Sequence, residues 1–189
     1  MNQFIFDFAA RLDDTAWSTA LHESFYMYNW IETTHVLTLM ISLGLLLLID
    51  LRMLGLALPG VPADRIAQRL QWPMLLGFSI MLLTGLLLFY AIPVRSAQSV
   101  WLRIKLVLLV CAAVNALLFH RHMRMAGADW AHAAMAPVQL RRGAILSIVF
   151  WVLIVICGRL IAYDWFDCAK QPPALIATFA GCIDGQTRF

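Results

Sequence analysis

The stretch Glu32-Thr-Thr-His35-Val-Leu-Thr-Leu-Met-Ile-Ser42-Leu-Gly44-Leu-Leu-Leu-Leu-Ile-Asp50-Leu-Arg52 decides the fold. It opens on a Glu-x-x-His pair, closes on an Asp-x-Arg pair, and carries no charge from Ile41 to Ile49. The hydrocarbon layer of a bilayer is about 30 Å thick and takes about 20 helical residues to cross. Three more runs of this length and polarity follow, so the predicted spans are about 31–53, 73–92, 100–120 and 144–163. The fold class is an all-α, polytopic membrane protein, a four-transmembrane-helix bundle.

Composition points the same way. Of 189 residues, 62% are hydrophobic and 13% charged, with a mean hydropathy of +0.78. Soluble domains carry roughly 25% charged residues, so this chain cannot clothe itself against water, and its first partner is the lipid bilayer. One compact membrane domain is the natural count. A net charge of +3, with no basic run, zinc-finger spacing or phosphate-cradling glycine loop, sets nucleic acid aside. No nucleophile-elbow motif supports hydrolysis; Ser24 after His22 and Glu23 is a local coincidence.

Outward from the four spans (31–163), residues 1–30 read as an interfacial amphipathic segment. Phe4, Ile5, Phe8 and Leu12 share helical spacing. Asp13 and Asp14 are the expected caps of a second helix with the stripe Trp17, Leu21, Phe25 and Tyr28. The segment either lies on the membrane or packs back as a lid. It lacks the basic start and apolar core of a cleavable signal. Residues 58–64 form a turn by composition, followed by a short helix with Arg65 and Arg69. Residues 92–99 make a second connection, and 121–142 a polar loop broken at Pro137. Residues 164–189 are a polar tail.

Basic residues orient the chain. Arg52, Arg65, Arg69, Arg121, Arg124, Arg141 and Arg142 fall on one side, and Arg11, Arg95, Arg103, Lys170 and Arg188 on the other. This bias places both termini outside, on the periplasmic face of a bacterial inner (cytoplasmic) membrane. That compartment is oxidising, so Cys168 and Cys182 are expected to form a disulfide. Cys111 and Cys157 fall inside spans as small apolar residues. Ala112 with Ala116, and Gly143 with Ser147, allow close approach of spans three and four.

Ionisable residues in a span are functional candidates by default. One layer holds Glu32, His35, Tyr90, Arg103, Lys105 and Arg159. Glu32 and His35 share a helical face, with His35 roughly 6 Å below the start of its span. The other layer holds Asp50, Arg52, Gln71, Asn115, His120, His122, Arg141 and Arg142. Two readings of Glu32 and His35 stand side by side: an interfacial salt bridge to Lys105 or Arg159, or a ligand or proton site. Glu-x-x-His supplies ligands in ferritin-like bundles, but the second motif copy that a di-iron site needs is missing. Asp50-x-Arg52 and Arg141-Arg142 read as a solvated inner rim facing lipid phosphates.

The first span, with Glu32-x-x-His35, Gly44 and Asp50-Leu-Arg52-Met-Leu-Gly55, resembles a family of uncharacterised bacterial four-span inner-membrane proteins, a domain of unknown function. The fourth span, from Ser147 to Gly158-Arg159-Leu-Ile-Ala-Tyr163, is similar too, and the likeness covers about residues 24–165. It implies the four-helix layout. The His-then-Gly first span is also faintly similar to copper-resistance D-type and b-type cytochrome membrane domains.

The expected function is a cofactor-holding electron-transfer or membrane-anchor subunit, linked to b-type haem or to quinone. His35 is the expected ligand, Glu32 its partner, and Lys105 and Arg159 the anion clamps. His120 lies about 22 Å deeper than Lys105 along span three, so a second haem ligand falls to His22, to Met27 or to a neighbouring subunit. Copper is the rival metal, with His22, His35, Met27 and Met40 as ligands. The other classes are a small-substrate or copper transporter and a structural or assembly subunit. A redox partner protein or a second copy completes the expected partners. Any enzymatic role is that of a membrane subunit of an oxidoreductase.

Overall fold

The computed structural model describes residues 2–58, 60–125, 135–163, 166 and 168–183. Among them every regular element is helical: α1 (Asn2–Asp13), α2 (Ala16–Glu23), α3 (Met27–Met53), α4 (Ala63–Ala91), α5 (Pro93–Ala97), α6 (Val100–Met125), α7 (Val138–Ala162) and α8 (Ala174–Ala180), with one 3₁₀ turn at Cys168–Lys170. Four helices are long and apolar enough to cross a membrane: α3, α4 from Arg65, α6 and α7. Met40, Leu76, Leu82 and Leu117 on these helices stay exposed. Such apolar surface is what hydrocarbon covers, since lipid is as apolar as leucine.

Element boundaries depart from the sequence reading in three places. The short helix carrying Arg65 and Arg69 is the first part of α4, which runs unbroken through Pro73. Proline removes one ladder donor, and in membrane helices neighbouring groups and local adjustment re-satisfy the freed carbonyl. The cap of α2 is Thr15, not Asp13 or Asp14; its hydroxyl accepts from the Ser18 amide at 3.3 Å. Of the predicted stripe Leu21 is buried, together with Ser18, while Trp17 is 78% and Phe25 77% exposed. The expected loop over 121–142 is helical up to Met125 and again from Val138; residues 126–134 of it lie outside the described set, as do 164, 165, 167 and 184–189 of the tail.

The chain divides into two compact units. The first comprises Met1–His35, Leu82–Leu106 and Val155–Phe189; the second comprises Val36–Met81 and Val107–Ile154. In the first unit α1 packs on α5. Ala9, Val94 and Ala97 are buried there beneath Ile5, Phe6, Ala10 and Phe89. Helix α2 is pinned to the end of α4 at Tyr90. The Thr15 and Tyr90 hydroxyls share a 2.6 Å hydrogen bond, and the Ser18 hydroxyl donates to the Tyr90 carbonyl at 2.8 Å.

The tail belongs to the same unit. Cys168 and Cys182 are bonded, with Cα atoms 5.4 Å apart. Gly181 ends α8 at φ 78°, a left-handed cap that a glycine takes without Cβ strain. Its carbonyl accepts from the Gln98 amide at 3.2 Å. Arg103, at the start of α6, donates to the carbonyls of Ala97 and Phe179, tying α5 to α8.

The second unit has its own core: Ile49, Met53, Ala63, Ile66, Ala136, Leu140 and Ala144, flanked by Phe119 and Met123. Gly77 admits the buried Ser42 of α3, and Phe78 stacks on Trp151 with centroids 5.0 Å apart. Gly143 of α7 receives Phe119 of α6. Small residues bring the helices together here, as membrane packing requires.

Candidate functional site

His35 lies on α3 within the first unit, half-buried, with its ring turned toward α4. Its Nδ1 shares a 2.9 Å hydrogen bond with the Thr84 hydroxyl. Gly85 is the next residue, and a Cβ there would lie 3.3 Å from His35 Cε1, so the missing side chain makes room for the imidazole. The hydroxyl holds the ring's orientation, and it can either donate to Nδ1 or accept from it.

Lys105 is half-buried on α6, across from α7. Its Nζ is 3.7 Å from where a Gly158 Cβ would stand, and within electrostatic reach of the buried Cys157 thiol. No hydrogen bond or ion pair joins Lys105 to His35 or to a carboxylate among the described residues. His35, Thr84, Lys105 and Gly158 stand on four different spanning helices of the first unit.

The other predicted members are placed elsewhere. Glu32 is exposed and forms no ion pair with His35, Lys105 or Arg159 among the described residues. Sharing a face with His35 did not pair the two: Glu32 stays exposed while the imidazole is held by Thr84 of α4. Arg159 is exposed and engages its own helix: Nη2 donates to the Tyr163 hydroxyl at 2.6 Å, with the guanidinium 4.5 Å from the ring centroid. His22 is exposed on α2. Met27 and Met40 are exposed too. Among the described residues no three His, Cys, Asp or Glu side chains converge as a metal-binding group.

The second unit holds polar residues in places the sequence reading had made wet. Asp50 is 4% exposed and Arg52 1% exposed, which overturns the expectation of a solvated rim for this pair, while Arg142 stays exposed and Arg141 half-buried. The Arg52 Nε donates to the Val61 carbonyl at 2.8 Å, closing the turn after α3 around the side chain. The buried Ser147 hydroxyl hydrogen-bonds Asp50. Asn115 donates to the Gly143 carbonyl at 3.0 Å, bridging α6 and α7. Thr84 and Gly85 were the residues missed around His35. The available signal was a hydroxyl next to a glycine inside the apolar run Leu82-Leu83-Thr84-Gly85-Leu86.

Fold and composition define an integral membrane protein with four spanning helices. The chain belongs to a family of unknown function (DUF6644), whose model matches residues 23–164, the whole four-span region. Comparison with curated proteins and with solved structures gave no match. The likeness of the first span to copper-resistance D-type and b-type cytochrome membrane domains is not shown by these comparisons.

Proposed function

We propose that this membrane protein is a cofactor-holding subunit of an electron-transfer system, and that its cofactor is a quinone bound at His35. The observation that carries the reading is the His35–Thr84 pair: an imidazole set within a span, oriented by a hydroxyl and given room by Gly85. A quinone carbonyl needs one well-aimed hydrogen-bond donor and reaches it through the lipid. Lys105, a cation inside the span of α6, supplies positive charge in the same unit. In this reading His35 and Thr84 position the ligand and hold a proton at the imidazole, while the quinone supplies the redox chemistry.

A b-type haem is the second reading, favoured by one feature. Ligating histidines are characteristically held through their other nitrogen, as Thr84 holds His35. Its difficulty is the donor set: of the five histidines only His22 and His35 belong to this unit, and His22 is exposed on α2. A copper site built from His22, His35, Met27 and Met40 faces the same dispersal. We place the protein in a bacterial inner membrane with both termini outside, supported by the basic-residue bias and the tail disulfide.

The test is to purify the full chain in mild detergent. Its redox difference spectrum, metal content and extracted quinones are then compared with those of His35→Ala. Quinone that co-purifies with the wild type and is lost in the variant supports the leading reading. Soret and α bands lost in the variant support haem. A colourless, metal-free and quinone-free wild type overturns both and leaves transport or assembly.

A further inference from the structure

We propose that Asp50 and Ser147 form a binding site for one monovalent cation, a proton or an alkali-metal ion, between α3 and α7. The site lies in the second unit and does not depend on the cofactor reading. Asp50 sits in the last turns of a spanning helix at 4% exposure, and Ser147 faces it from α7 at 8%. A carboxylate taken out of water needs a compensating charge or several strong donors. Among the described residues the structure supplies one neutral hydroxyl, that of Ser147.

The nearest cation in sequence does not serve. Arg52 is two residues further on, about 200° round the helix, and its Nε donates to the Val61 carbonyl. Among the described residues of this unit, Arg65 and Arg69 on α4 are exposed, as are His120, Arg121 and Arg124 on α6 and Arg142 on α7, and none of them pairs with Asp50. His122 is occupied by the Leu118 carbonyl at 2.7 Å. Arg141 is half-buried with its Nε unsatisfied, and it makes no ion pair with Asp50. Among the described residues, then, the Asp50 carboxyl has a hydroxyl partner and no cationic one. A proton shared along the Asp50–Ser147 hydrogen bond removes the charge outright. An alkali ion held by carboxylate and hydroxyl oxygens balances it.

The experiment uses the full chain in lipid nanodiscs. Infrared spectra of the wild type are recorded in H₂O and D₂O, and thermal unfolding is titrated with sodium, potassium and N-methylglucamine chlorides. A protonated carboxyl band that shifts in D₂O, moves in Ser147→Ala and is absent in Asp50→Asn identifies the proton. Saturable stabilisation by one alkali ion, lost in both variants, identifies the metal ion. An ionised wild-type spectrum across mildly acidic to mildly alkaline pH, with no cation-specific stabilisation, overturns the proposal. Should Asp50→Asn fail to fold, the wild-type spectra and the Ser147→Ala shift decide by themselves.

Discussion

At Gly77 the missing side chain is a packing requirement: a Cβ there would lie 2.0 Å from the Ser42 hydroxyl and 3.3 Å from its Cβ. Overpacking a close contact costs about 1–3 kcal/mol, so Gly77→Ala is expected to lower unfolding stability by that much. Adding Ser42→Gly should restore most of it, as measured by denaturation of both variants in the same mixed micelles. Gly85 acts on function instead. Its added Cβ would press on His35 Cε1 at 3.3 Å and tilt the ring by a few tenths of an ångström. Gly85→Ala is expected to express and fold like the wild type while retaining several-fold less cofactor per protein, read by quantifying the bound cofactor. His35 itself was legible in the sequence because an imidazole in an apolar run is conspicuous. Thr84 was not, because a threonine in a membrane helix usually bonds its own backbone, and only the packing of α4 against α3 aims it at the ring.

Between elements, the magnitudes separate hydrogen bonding from shape. The Asn115–Gly143 bridge joins α6 to α7, yet interhelical hydrogen bonds in membranes average about 0.6 kcal/mol. Asn115→Leu is therefore expected to cost under about 1 kcal/mol. Gly143→Leu should cost clearly more, because even a Cβ would meet Phe119 at 3.1 Å. Reversible unfolding of the two variants in one micelle system checks the order. On the tail, the bond between Cys168 and Cys182 closes a loop around α8. Removing a disulfide of such span costs about 2–4 kcal/mol. A Cys168→Ala/Cys182→Ala double variant should lose hydrogen-exchange protection over α8 first, while the spans keep theirs. The pairing was legible from spacing and the expected compartment. The docking of α8 through Gln98 and Arg103 was not, since two backbone carbonyls as partners leave no trace in sequence.

For the molecule as a whole, an even number of spans predicts that both termini lie on one side of the membrane. With the expected orientation, a cysteine at Gln3 should react with a membrane-impermeant maleimide in intact spheroplasts, and one at Val61 only after permeabilisation. The reverse pattern would invert the orientation without disturbing the fold.

The opening stretch, 32–52, shows where sequence and tertiary structure each had the deciding say. Sequence alone determined that it spans a membrane, because length and polarity are properties of the chain and the bilayer sets the threshold. It also made Glu32, His35, Asp50 and Arg52 stand out. Which of these are buried, and against what, was decided by packing. Glu32 extends outward while His35 meets Thr84; Asp50 and Arg52, equally close to a helix end, are closed over by α7 and by the turn at Val61. A charge near the end of a span can snorkel to water or be enclosed by neighbours, and the choice depends on residues about ten to a hundred positions away, on other elements of the fold.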